Sequence, residues 1–194
     1  MKSASNRTCY VGTIARSAVS AAELTAAGRL DMSEVLLDAT FTEARKGRAC
    51  VCPTRCGVSV TVELVTDTRG TPTGVATNAA RVPDTMLGSF ALACIPSGEA
   101  APPMVPVIAD LGIRSGPCGQ LADRGFRLLS QHRRGRNHPQ TNNGQQMRRY
   151  VVERTLAWLH SYRRVVTRFE KDMGRYDGFV HLACAFIALG RLVK

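Results

Sequence analysis

The residue pattern points to one α/β domain, strand-rich in its first half and helical toward its end, on three observations. Val35-Leu36-Leu37 and Val107-Ile108-Ala109 are short apolar runs that read as buried strands, each followed at once by an aspartate, Asp38 and Asp110. Between them, Val58 to Thr66 and Thr73 to Ala79 are rich in β-branched residues and joined by Asp67-Thr68-Arg69-Gly70, a hairpin turn signal. Toward the end of the chain, apolar residues recur at helical spacing, as in Val152, Leu156 and Leu159. With 194 residues, 44% of them hydrophobic, the chain can bury a real core, which excludes a largely disordered protein. No internal repeat interrupts it.

Taken in order, Ser17 to Ala27 is Ala-rich and expected to be helical, with Gly28 as its stop, so residues 1–33 form an N-terminal helical part ahead of a main domain at 34–194. Glu34 to Phe41 is the first core strand, and the hairpin follows. Thr85 to Ala93 reads as a crossover helix, and Gly98 to Pro106 as a connector containing Pro and Gly. Val105 to Asp110 is the next buried strand, with Gly112 where the backbone must turn. Leu121 to Ser130 is expected to be a short helix and Gln131 to Gly144 a polar loop. Two helices close the chain, at about Gln145 to Arg168 and Arg175 to Leu192.

Charge narrows the function. Lys and Arg number 26 against 15 Asp and Glu, a net charge of +11. Residues 121–194 carry 15 basic and 5 acidic side chains, so nearly all of the excess lies there, the electrostatic footprint of a polyanion-binding protein. The candidates for phosphate contact are Arg133, Arg134, Arg136, Arg148, Arg149, Arg163 and Arg164, clustered around the helix of Glu153 and the loop before it. On that helix Arg149, Glu153, Ala157, His160 and Arg164 share one face beside the apolar stripe. Glu153 therefore has two readings: an ordinary helix salt bridge to Arg149 or His160, or a functional carboxylate. Asp38, Asp110 and Glu153 converging in so basic a protein would suit metal-assisted phosphoryl transfer on nucleic acid.

The opening residues lack a charged start followed by a continuous apolar run and a cleavage site, so a cytoplasmic protein is expected. The longest apolar run, Phe179 to Leu189, contains His181 and is too short to span a bilayer. Seven scattered cysteines argue against a disulfide framework. Cys50, Cys52 and Cys56 could contribute to a zinc site, but their spacing lacks the usual paired knuckles, which favours free thiols.

Four strings carry a family resemblance. Leu37-Asp38-Ala39-Thr40-Phe41, followed by Ala44-Arg45-Lys46-Gly47, resembles the first-aspartate segment of bacterial insertion-sequence transposases of the DDE class. Val65 to Pro72 resembles their strand hairpin, and Ile108-Ala109-Asp110-Leu111-Gly112 with Ser115 their second-aspartate motif. The best match is Val152-Glu153-Arg154-Thr155-Leu156-Ala157-Trp158-Leu159-His160, then Tyr162-Arg163-Arg164, Arg168-Phe169-Glu170 and Phe179 to Cys184. The resemblance spans about residues 25–193 and implies a ribonuclease-H-like mixed sheet flanked by helices. It also implies that Asp38, Asp110 and Glu153 hold two divalent ions, Mg²⁺ or Mn²⁺. Water would cut the element's end to leave a 3′-hydroxyl, which would then attack the target strand. DNA, as element ends and target, is the implied partner, in the bacterial cytoplasm and nucleoid, with a homo-oligomer left open and no membrane involved. Leu111, Ile113 and Arg114 depart from the family pattern, and Tyr150 stands about one helical turn closer to Glu153 than usual. Only 37 residues precede Asp38, where a helical DNA-end-binding region is usual. A non-catalytic, DNA-binding remnant is accordingly the alternative.

Overall fold

The structure, a computed structural model, describes residues 10–12, 25–46, 50–55, 57–95, 104–109, 122–123, 125–130 and 143–193. In chain order these form β1 (Tyr10–Gly12), β2 (Val35–Ala44), β3 (Cys52–Thr54), β4 (Gly57–Thr66), β5 (Pro72–Ala79), α1 (Asp84–Ala93), β6 (Val105–Ala109) and β7 (Phe126–Ser130). Then come α2 (Asn143–Leu159), α3 (Arg163–Val166), β8 (Thr167–Arg168) and α4 (Met173–Leu192). The strands make one mixed sheet in the order β1-β5-β4-β2-β6-β7, with β3 added to β4 and β8 to β2. β4 runs antiparallel to both of its neighbours, β5 and β2, whereas β6 runs parallel to β2 and β7 parallel to β6.

Side-chain alternation along the strands divides the core between the two faces. Val35 and Leu37 of β2, with Val107 and Ala109 of β6, pack against Leu87, Ala91 and Leu92 of α1. Leu36 and Ile108 point the other way and meet Val152 of α2. Farther along that second face, Val60, Val62 and Leu64 of β4 pack with Leu156 and Leu159 of α2 and with Tyr176, Val180 and Ile187 of α4. The stripe of Val152, Leu156 and Leu159 is buried as its spacing requires, each side chain stabilising the fold by roughly 1.5–3 kcal/mol.

β2, the β4–β5 hairpin, α1, β6 and α4 occupy the expected segments. Two expectations fail. The helix expected at Leu121 to Ser130 does not run to its end: Gly125 adopts a left-handed φ of 78°, its carbonyl accepts from Val105 N at 2.7 Å, and Phe126–Ser130 pairs along β6 as β7. The edge of β6 rewards an extended chain there, which local propensity cannot see. The long helix ends at Leu159 rather than Arg168: a turn at His160–Tyr162, in which Ser161 N and Tyr162 N donate to Trp158 O and Leu159 O, separates it from α3, and Thr167–Arg168 pairs with Glu43–Ala44 of β2. Most of the expected helix at Ser17 to Ala27 lies outside the described residues.

Arg168 is fully buried and binds the β8–α4 junction together. Its Nε donates to Glu170 O at 3.0 Å and its Nη2 to Lys171 O at 3.2 Å, while the guanidinium sits 5.9 Å from the centre of the Tyr176 ring. The Tyr176 hydroxyl donates to Val165 O at 3.0 Å, and burial pushes its acidity far below that of a free phenol. The Cys184 thiol in the same core is pushed up to about 12 by burial.

At Gly74 the backbone of α1 comes close against the sheet. A Cβ there would collide with the backbone oxygen of Ala91, whereas one at Gly178, within α4, would meet no atom within 4 Å. Gly74→Ala is expected to lower stability by about 1–3 kcal/mol through overpacking. Gly178→Ala should raise it by roughly 0.5–1 kcal/mol by helix propensity. Urea unfolding midpoints of the two variants measure both signs.

Candidate functional site

Asp38 sits midway along β2, opposite Leu64 of β4, with its neighbour Leu37 opposite Ala109, the last residue of β6. Because it is two residues beyond Leu36, it points to the face that α2 covers. Its Oδ1 accepts from Ala39 N at 3.0 Å, and its Oδ2 lies 3.7 Å from Arg149 Nη2. The same Nη2 lies 3.6 Å from Oε1 of Glu153, one helical turn farther along α2. One guanidinium thus draws together two of the three singled-out carboxylates, from opposite ends of the chain. Glu153 is half exposed, whereas Asp38 and Arg149 are mostly shielded, so charge at this spot is screened less than on an open surface. Asp110, the residue after Ala109, lies outside the described residues.

The helix that carries Glu153 is docked at several points. Thr155 Oγ1 donates to Gly70 O at 2.9 Å, and Arg154 Nη2 to Arg69 O at 3.0 Å, tying α2 to the β4–β5 turn. That close contact needs glycine: at φ 87° a Cβ on Gly70 would lie 2.8 Å from Thr155 Oγ1. Asp67 shapes the turn by accepting from Arg69 N, Thr71 N and Asp31 N at 3.0, 2.6 and 3.2 Å. At its far end, His160 Nε2 is 3.2 Å from Thr40 Oγ1 on β2. Of the two cations expected beside Glu153, Arg149 takes the carboxylate and His160 turns to the strand. Burial holds the His160 imidazole below its ordinary range.

The arginines singled out for phosphate contact have mixed surroundings. Arg148 pairs with Glu34, and Arg164 with Glu170 at 2.9 Å while lying over the Phe179 ring. Arg163 is exposed at the start of α3. Arg133, Arg134 and Arg136 lie outside the described residues. Residue spacing gave no sign of Arg154, whose guanidinium is sandwiched near the Tyr150 and Trp158 rings, 5.6 and 4.9 Å from their centres. Among the described residues no group of three His, Cys, Asp or Glu side chains could hold a metal ion. Cys50 and Cys52 are free thiols, and Cys56 lies outside the described residues. No helix among the described residues is long and apolar enough to cross a membrane.

Comparison with known proteins bears out the resemblance to insertion-sequence transposases. The chain is similar to a Burkholderia cepacia protein named as a transposase for insertion sequence element IS402, with 32% identity over 145 residues. The match covers 66% of this chain and 62% of that protein, so the chain spans less than two thirds of its relative. No family model matches the chain, and no solved structure does.

The neutral imidazole of His160 makes the docking of α2 on β2 sensitive to acid. With the folded pKa below the unfolded value of about 6.5, the unfolded chain takes up the proton first. Stability is therefore expected to fall as pH drops from the unfolded pKa to the folded one, and to be restored as pH rises. His160→Gln should flatten that part of the profile, as read from denaturant midpoints between neutral and mildly acidic pH.

Proposed function

We propose that the chain is the catalytic part of an insertion-sequence transposase, folded as a ribonuclease-H-like domain that cuts and joins DNA strands at Asp38, Asp110 and Glu153. The observation that carries this reading is the approach of Asp38 and Glu153 to one guanidinium beside the end of β6, the strand that runs into Asp110. Ile108, two residues before Asp110 in the chain, faces α2. The central strand carrying the first aspartate, flanked by antiparallel β4 and parallel β6, and the similarity to the IS402 protein support the same reading.

The donor set suits Mg²⁺ or Mn²⁺, which favour hard oxygen ligands and few protein contacts. When bound, such ions would supply Lewis-acid stabilisation and a more acidic water at Asp38, Asp110 and Glu153. Arg149 balances the charge of the two carboxylates it bridges, and α2, fixed by Thr155 and Arg154, holds Glu153 over β2. Arg163 is placed to meet a phosphate without first breaking a salt bridge among those in the structure, whereas Arg148 and Arg164 would exchange Glu34 and Glu170 for one. The protein's surroundings would be the bacterial cytoplasm and its nucleoid, with element ends and target DNA as partners.

A second reading, DNA binding without cleavage, is favoured by the same guanidinium, since Arg149 stands between carboxylates that catalysis would need for metal. Purified protein, Mg²⁺ and DNA bearing the element's ends decide between them. Specific end cleavage that Asp38→Asn or Glu153→Gln reduces about a hundredfold or more, with DNA binding retained, is the catalytic outcome. Binding with no cleavage in Mg²⁺ or Mn²⁺ selects the remnant.

For either reading, affinity for DNA is expected to fall with salt, each neutralised phosphate adding about 0.9 to the negative log–log slope. Replacing Arg133 and Arg134 together by Ala should reduce that slope by up to about two units, measured by fluorescence anisotropy.

A further inference from the structure

α4 buries one side and leaves the other bare. Val180, Ala183, Cys184 and Ile187 are in the core, while Phe179, Leu182, Phe186, Leu189 and Val193 are 36, 51, 53, 58 and 75% exposed. Those five recur at alternating steps of three and four residues, the a and d positions of a heptad, a spacing that matches a second helix and no flat surface. The other exposed positions between 178 and 193 are Gly178, Ala185 and Gly190, small residues flanking the seam that let a partner helix approach. Two rings in the stripe are already held, Phe186 by Tyr162 stacked at 6.5 Å and Phe179 by Arg164 at 5.6 Å, which lessens the entropy lost on docking.

We propose that this stripe is a self-association surface on which two copies of the chain pack through antiparallel α4 helices. A second copy suits it because the five stripe side chains carry no charge, and the cations beside them, Arg164 and Arg175, sit at its Phe179 end and leave the rest of the seam apolar. Taking such side chains as roughly 150–250 Å² each, the exposed fractions leave on the order of 500 Å² of apolar surface per copy. A pair would bury about 1,000 Å², the least that a specific interface needs. Arg175 sets the direction. It is exposed one step before Phe179 on the same seam, so parallel helices would put two guanidinium groups face to face. Antiparallel helices separate them and set each beside the partner's helix C-terminus, where a cation is favoured. The twofold axis would pass near Phe186, with Leu182 against Leu189 of the second copy. This inference does not depend on the carboxylate site.

Sedimentation equilibrium of the whole chain at micromolar concentrations tests it. A reversible dimer is expected, its dissociation constant raised at least about tenfold by Leu182→Glu or Phe186→Glu, with circular dichroism unchanged. A monomer throughout, or a dimer untouched by both variants, would overturn the proposal. Direction is read by mixing Leu182→Cys with Leu189→Cys under mild oxidation and mapping the bridge by mass spectrometry. A bridge between positions 182 and 189 supports the antiparallel pair, and bridges formed within each variant alone refute it. Because this readout uses small, uncharged replacements, it stands even if the Glu variants fail to fold.

Discussion

β2 has to satisfy two neighbours that run in opposite directions, and the rest of the molecule is arranged around that requirement. Leu37 is fixed opposite Val65 of β4 and opposite Ala109 of β6 at once, so neither ladder can slide without breaking the other. A slip of one residue would turn Leu36 away from Val152 and Leu37 toward Arg149, exchanging a carboxylate for a leucine at the site. The fully buried Val35, Leu36 and Leu37 oppose such a slip through packing on both faces. Placement of Asp38 is thus a by-product of core formation.

Helix α2 reads that register from the other side. Its buried stripe meets β2, β4 and β6, while Thr155 and Arg154 tie it to the hairpin turn shaped by Asp67 and Gly70. The Arg149–Glu153 contact contributes little to stability, less than about 1 kcal/mol, because Glu153 is half exposed. Packing places the helix, and the guanidinium then bridges carboxylates that are already close. Arg168 plays a comparable part at the opposite end of β2, where a buried cation satisfied by backbone carbonyls joins the strand edge to α4.

Most of what positions the site was readable because it rests on local pattern. Apolar runs marked β2 and β6, the Asp67–Gly70 turn marked the hairpin, and the Val152–Leu156–Leu159 spacing marked the buried side of α2. What escaped rests on partners distant in the chain. β7 is a strand because β6 offers it an edge, and Thr167–Arg168 leaves the helix because β2 has room beyond Glu43. Charge counting found the basic half but could not show that Arg148 has Glu34 beside it, or that Arg149 has both Asp38 and Glu153. The exposed seam of α4 lies within the apolar run Phe179 to Leu189, where sequence alone does not say which side of a helix another element covers.

The depth of the cysteines gives the core a built-in clock. Cys184 is wholly enclosed, with its thiol pushed up to about 12, and Cys94 is almost as deep, donating toward the carbonyls of Val75 and Phe90. Alkylating reagents must reach the sulfur, which neither residue offers to solvent while α1 and α4 stay seated on the sheet. Cys52, on the short edge strand β3, is only partly covered. The interval between modification of Cys52 and that of Cys94 or Cys184 therefore marks how often each helix lifts away, one helix per thiol, on either side of the same sheet.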